Sequence, residues 1–327
     1  MPLERLLELA PADWIHEGRD KPAEKRGRAD WPGVSVRHCL PSKFPSYAKV
    51  FHPIYTDPPS HGRIKGKGVL WRELAQRFSL EFHPEINASF FAPVSQEGTW
   101  IENLIGPDKG HLDEDTCGVL IDILKRFTGQ HQCWFYYTGI SISGYEPQLY
   151  HGDIQDIVGL TKLDGAMAPP EYWWPDDRSW CIYSDWDLTF TIVAGPSELI
   201  RLCADNSALE AVPVTASTRV DDLADRPNAR RRIRQAAELL LANQISLSLA
   251  ARVLIGLQPI AGGEFDTDLV PFVAIEYETR FLPIGPVRAE WAPEVLSSID
   301  QEILRIESTH RAGALEACRN MLLKVSL

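Results

Sequence analysis

Residues 173–196 read Trp-Trp-Pro-Asp-Asp-Arg-Ser-Trp-Cys-Ile-Tyr-Ser-Asp-Trp-Asp-Leu-Thr-Phe-Thr-Ile-Val-Ala-Gly-Pro, and their alternation decides the class of the N-terminal fold. At period two, Trp180, Ile182, Trp186, Leu188, Phe190 and Ile192 share one face, broken at Ser184. Tyr183, Asp185, Asp187, Thr189 and Thr191 share the other. This is the pattern of a half-buried antiparallel strand. It is longer than an ordinary strand, so a hairpin bent near Ser184 and Asp185 is expected. Gly195 and Pro196 stop it, and Ser197 is placed to cap a helix running to about Cys203.

Upstream, Cys-Trp-Phe-Tyr-Tyr-Thr-Gly at 133–139 reads as another strand, and residues 113–128 as a helix. In that helix Asp113 to Asp115 load the N-terminus with negative charge, Leu120, Ile121, Leu124 and Phe127 form a stripe, and Gly129 ends it. Val-Ser-Val-Arg-His-Cys-Leu at 34–40 and Tyr-Ala-Lys-Val-Phe-His-Pro-Ile-Tyr at 47–55 read as β runs stopped by proline. A Pro-, Gly- and Lys-rich loop follows at 57–68, then a helical segment around Trp71, Leu74, Ala75 and Phe78. Leu3, Leu6, Leu7 and Ala10 have the spacing of a short helix ended by Pro11, and residues 16–28 form a charged loop. The order of strands and helices predicts an α+β domain with a mixed or antiparallel sheet.

Beyond the polar run at 215–232 the period becomes helical, so a boundary is expected near Asp222. Ile233, Ala237, Leu240 and Leu241 line one helix, and residues 246–257 form a second. Leu296, Ile299, Ile303 and Ile306 line a third, and Gly313 marks a turn into a fourth carrying Leu315, Cys318, Met321, Leu322 and Val325. Residues 264–291 are apolar but broken by Pro and Gly, and no element is assigned to them. The expected organisation is an N-terminal helix and arm at 1–33, an acidic α+β domain at 34–222 and an all-α domain at 223–327.

Charge is unevenly distributed. Residues 99–187 hold 15 Asp and Glu against 5 Lys and Arg, a net of −10 within a chain of −12, whereas residues 223–327 hold 13 against 12. An acidic field of this kind disfavours direct contact with nucleic acid, whose phosphates demand a basic footprint, and suits a basic protein surface. Its bland counterpart is a solvated face that keeps the chain soluble. Six scattered cysteines without a C-x-x-C pair read as buried thiols. No apolar run reaches membrane-spanning length, and the first residues lack the pattern of a secretory signal, so the cytoplasm is the expected compartment.

No motif for chemistry is complete. Eight of the nine histidines precede residue 152, yet none sits in H-x-x-x-H or H-E-x-x-H; His131-x-Cys133 and His151-x-Asp153 come closest to ligand pairs. There is no G-x-S-x-G and no phosphate-cradling glycine loop, and the C-terminal carboxylates lack the Glu-x-x-His pairs of bundle iron sites. The basic run Arg230, Arg231, Arg232 and Arg234 reads as a solvated linker charge. No metal and no cofactor are expected. Asp176, Asp177, Asp185 and Asp187, set among tryptophans, match the residue types that bind and cleave sugars, although tryptophan at period two is usually core and Asp beside Pro usually serves a turn.

The run Trp173 to Cys181, with Asp185 to Gly195 after it and Tyr47 to Pro53 and Trp71 to Ala75 before it, resembles a group of bacterial, actinobacterial-type proteins without established activity. The likeness covers roughly residues 34–215. Residues 276–291 and Cys318 look like a separate small helical unit found in other bacterial proteins. The resemblance implies a two-part chain and carries no functional residues.

Together these readings predict a non-enzymatic protein-binding factor, immunity- or antitoxin-like, meeting a basic partner through an acidic tryptophan-rich surface. Its expected binding residues are Trp173, Trp174, Asp176, Asp177, Arg178, Asp185 and Asp187. Two alternatives stand beside it: a hydrolase using Asp176, Asp177, Asp185 and Asp187, and a component of a larger assembly docked through its helical region.

Overall fold

The computed structural model describes residues 3–21, 33–56, 66–77, 81–88, 91, 104–110, 112–221, 226–284, 288 and 291–325. Most of the charged loop at 16–28 and of the loop at 57–68, together with Phe78, His61, His111 and residues 222–225 beside the expected boundary, lie outside them. An antiparallel sheet region is followed by a helical one. The chain divides into two compact units, the first spanning Met1–Pro22, Gly33–Asn87 and Asn103–Asp221, the second built on Asp222–Leu327.

The first unit holds β1 (Glu4–Leu6), α1 (Asp13–Gly18), α2 (Val36–Cys39), β2 (Ser46–Phe51), β3 (Ile54–Thr56), β4 (Gly68–Val69), α3 (Trp71–Arg77), β5 (Leu104–Ile105), α4 (Glu114–Thr128), β6 (Cys133–Tyr137), β7 (Gln148–Gly152), α5 (Ile157–Leu160), β8 (Tyr172–Pro175), β9 (Cys181–Tyr183), β10 (Phe190–Gly195), α6 (Ser197–Asp205) and β11 (Ala211–Val214). Eight strands form one sheet in the order β1-β7-β6-β8-β9-β10-β2-β11, and β4-β3-β5 form a small one. Every pairing is antiparallel.

The bend at Ser184 is real: β9 and β10 pair with Ile192 opposite Tyr183. The alternation does not run through it, however. Ile182 and Trp180 join Val193 in the core under α4 and α6, so the connecting loop has shifted the phase. All six residues of β10 are buried, because both faces of the sheet are covered. One face packs Phe135, Tyr137, Trp173 and Val50 against Leu120 and Leu124 of α4 and Leu199 of α6. On the other, Trp14 of α1 meets Trp174 edge-on at 5.7 Å, and the Tyr172 hydroxyl donates to the Cys39 carbonyl at 2.9 Å.

Three local expectations in this unit need correction. The N-terminal apolar spacing yields strand β1, paired with β7, because two turns of helix cannot repay nucleation while an open sheet edge offers ready partners. The run at 34–40 contains helix α2: Ser35 and His38 form a reciprocal capping box that holds the turn closed. In α4, Asp113 is the cap, its carboxylate accepting from the Thr116 N–H at 2.9 Å, as its position suggests. At α6 the cap position falls to Pro196; the Ser197 hydroxyl pairs with that of Ser46 at 2.7 Å.

The second unit is an antiparallel four-helix bundle of α7 (Arg226–Leu241), α8 (Leu247–Ala261), α9 (Asp266–Thr279) and α10 (Pro293–Val325), each packed on the next and α10 closing on α7. The unassigned stretch therefore contains α9, with Pro271 inside it. Gly313 marks no turn: α10 runs 33 residues through it, about 50 Å. Ala314, Ala317, Cys318 and Met321 on its C-terminal half fill the bundle core, and their burial outweighs the helix cost of one glycine. No described helix is long and apolar enough to cross a membrane.

Candidate functional site

The strand directions give the sheet two ends. Turn 176–180 joins β8 to β9 at one; loop 184–189 joins β9 to β10 at the other. The expected site residues are thus separated, with Asp176, Asp177 and Arg178 at the first end and Asp185 and Asp187 at the second. The four carboxylates therefore do not converge on one site; two stand at each end of the sheet.

The first end is a built turn. The Asp176 carboxylate accepts from the Trp134 indole at 2.8 Å, the His151 ring at 2.8 Å and the Gln132 N–H at 3.2 Å. Asp177 accepts from the Ser179 N–H at 3.0 Å and has His131 at 3.5 Å. Arg178 takes a left-handed conformation, φ 56°, and lies over the Trp14 ring at 5.1 Å. Lys43 lies over the same ring at 4.3 Å, its pKa lowered by burial and then by Arg178. The two histidine pairs noticed in the sequence are therefore divided: both rings face aspartates of this turn, while Cys133 is buried with its thiol pushed up by desolvation. Among the described residues no group of three or more His, Cys, Asp or Glu could hold a metal.

Trp174 is packed against Trp14, and Trp180 donates to the Thr128 hydroxyl from inside the core. Trp173 is 4% exposed. Trp174 and Trp180 stabilise the sheet and present no surface, while Trp173 reaches only the wall of a cleft. Trp186, on loop 184–189, is the exposed one at 39%.

The second end carries a cleft of about 360 Å³, within the range of small-ligand sites. Trp173, Leu112, Ile157, Val158, Pro169 and Pro170 give it apolar walls; Asp108, Asp113, Glu114 and Lys162 stand among its polar lining. Glu114 and Lys162 pair at 3.1 Å. Asp113 caps α4 and also accepts from the Tyr55 hydroxyl. Burial first, then the Asp113 hydrogen bond and charge, with Asp115 and Asp108 adding to it, push the Tyr55 phenol up. Cys117 lies in the same lining, its thiol raised to about 11 by burial and then by Asp113 and Glu114. Both groups register a negative field here.

Ser184 and Thr191 also line the cleft, and behind them sits His52, fully buried. His52 Nδ1 lies 2.6 Å from the Asp108 carbonyl oxygen. A carbonyl only accepts, so Nδ1 carries the proton, and in the neutral ring Nε2 accepts from the Thr191 hydroxyl at 3.0 Å. Ser184 donates to the Gly110 carbonyl at 2.9 Å, with its oxygen 3.3 Å from Thr191 Oγ1. A hydroxyl on an imidazole that is itself oriented by a third group is the arrangement that can activate a nucleophile; equally, it fixes which way the hydroxyl protons point. Sequence reasoning missed this group because His52 and Thr191 are 139 positions apart. The one available signal was a pair of polar residues, His52 and Thr191, at a position otherwise reading as core strand.

Around the mouth, loops 106–113, 164–170 and 184–189 interlock: Gly110 N–H donates to Leu188 at 2.8 Å, and Ser184 N–H to Glu171 at 2.9 Å. Gly110 has φ 80°, and a Cβ there would come within 3.1 Å of the Trp186 backbone. Met167 and Val158 join Trp186 as exposed apolar groups, beside the exposed Asp108, Glu114, Asp164 and Asp187. Asp185 is half-buried and accepts from the Tyr183 hydroxyl at 2.6 Å. Compared with protein-family models, with curated proteins and with solved structures, the chain matches none of them.

Proposed function

We propose that the chain is a non-enzymatic, immunity- or antitoxin-like binding protein of bacterial type that meets a basic protein partner through the acidic rim at the second end of its sheet. The observation that carries this reading is that Asp108, Glu114 and Val158 line the cleft while Asp164, Met167, Asp185, Trp186 and Asp187 belong to the two loops that approach it at Gly110. Acid groups steer a basic surface in, and exposed apolar side chains supply contact area once it has docked. Asp185, Asp187 and the cleft wall Trp173 remain candidate binding residues; Asp176, Asp177, Arg178 and Trp174 serve the turn and the core. Unpaired thiols at all six cysteines fit a reducing, cytoplasmic setting.

The test is an array of purified proteins and peptides graded in basicity. Binding should favour arginine- and lysine-rich members and weaken between about 50 and 300 mM salt. It should fail when Trp186→Ala, Asp185→Asn and Asp187→Asn are combined. Duplex DNA should not be retained. Indifference to basicity, or full binding by the triple variant, would overturn the reading.

One observation favours an enzyme instead: the Thr191 hydroxyl on His52, with the Asp108 carbonyl behind it. Turnover of an activated ester that disappears in Thr191→Val and survives Asp176→Asn with Asp185→Asn would move the reading to a hydrolase built on these residues rather than on the four aspartates.

A further inference from the structure

We propose that the cleft beside Trp173 is a receptor for one alkyl-guanidinium or alkyl-ammonium group, supplied by an arginine or lysine side chain of the partner. This rests on the basic partner proposed above and names how that partner is held.

The argument is one of hydrogen-bond supply. The proton of Ser184 is committed to the Gly110 carbonyl, and that of Thr191 is spent inside the floor, on Ser184 Oγ at 3.3 Å or on His52 Nε2 at 3.0 Å, so both floor oxygens keep acceptor capacity for an occupant. The carboxylates of Asp108, Asp113 and Glu114 likewise only accept. Lys162, the one cation in the described lining, is held by Glu114 at 3.1 Å. A lining whose described polar groups are mainly acceptors selects an occupant rich in N–H groups. The remaining walls, Trp173, Leu112, Ile157, Val158, Pro169 and Pro170, fit an aliphatic stem. Charge points the same way: burial is the main cause of the raised Tyr55 and Cys117 protons, but the Asp113 charge adds to both, and that negative field favours a bound cation.

Cys117 supplies a direct probe. It lines the cleft, and the other five cysteines are buried. In the full chain, alkylation of Cys117 by iodoacetamide at about pH 8.5 is followed by mass spectrometry. N-acetyl-arginine methylamide should slow it about fivefold near saturation, while the isosteric, uncharged citrulline analogue should not. Thr191→Val with Ser184→Ala should abolish that protection, and Thr191→Ser should keep it, with the alkylation rate in the absence of analogue reporting that the cleft is intact. Equal protection by both analogues, or protection by neither, overturns the proposal.

The two readings fail separately. Protection by the arginine analogue without any array binding keeps the cleft as a receptor for a free guanidine or amine and removes the protein partner. Array binding unchanged by Thr191→Val with Ser184→Ala keeps the rim and removes the cleft.

Discussion

The sheet unit buries Lys49, His52, Glu171, Ser184, Thr191 and Glu210 in its interior, whereas the core of the helical unit is Ala, Leu, Ile and Phe with Cys318 and Met321, and Ser248, Thr279 and Glu307 are the buried polar groups among its described residues. In the sheet unit each buried charge is answered: Glu171 accepts from the Thr138 and Ser141 N–H groups at 2.9 and 3.0 Å, and Glu210 from those of Trp71 and Arg72 at 2.6 and 3.0 Å. Lys49 donates to the Ile86 and Pro84 carbonyls and lies over Phe190. Such groups tie loops to strands at fixed positions, which an apolar core does not do. The surfaces invert this contrast: the sheet unit offers acids around a cleft, while α9 exposes Val270, Val273 and Tyr277 in a row, followed by Phe281. Placed polar groups thus belong to the first unit, and an exposed apolar row to the second.

The contrast breaks if polar groups in the sheet prove dispensable. Glu171→Ala should cost about 3 kcal/mol or more of unfolding free energy by urea titration, because two backbone donors lose their acceptor. Next comes Lys49. Burial holds its pKa well below the ordinary 10.5, against a smaller opposing pull from Glu85. The unfolded chain then binds that proton more readily, so stability should rise with pH from the folded-state value up toward 10.5. Lys49→Met should flatten that rise in a pH series of thermal melts. In the bundle, Leu254→Met should cost about 1 kcal/mol or less, since a volume-conserving swap in an apolar core repacks. Smallest and of opposite sign, Gly313→Ala should stabilise the bundle by about 0.5–1 kcal/mol: an added Cβ meets nothing within 4 Å, and the helix loses its most flexible residue. Destabilisation there would mean that α10 is not continuous.

What the sequence made legible followed from strong local signals. The helix after Asp113 announces its cap, stripe and terminating Gly129, and the hairpin at Ser184 follows from a strand too long to be one. Strand β1 and helix α2 were misread because three or four residues hold too little periodicity to outvote a sheet edge or a capping histidine. The tryptophans were misread for another reason. Alternation shows which residues share a face but not whether the opposite face is also covered; here both are, so Trp173 and Trp174 are interior while the expected Asp176, Asp177, Arg178 and Asp187 are exposed. The cleft needed the fold itself, since it joins α4, α5, β8, β10 and the residues around Gly110.

The turn at 176–180 bears on how relatives of this chain should be judged. Asp176 gathers donors from β6 and β7 into the hairpin that follows, so Trp-Trp-Pro-Asp-Asp-Arg is a recipe for closing a scaffold. Two chains can share that recipe and bind unrelated molecules, because the loops that would do the binding emerge at the far end. Kinship read from the motif therefore transfers architecture, and any transfer of partner has to be argued from residues 106–113, 164–170 and 184–189.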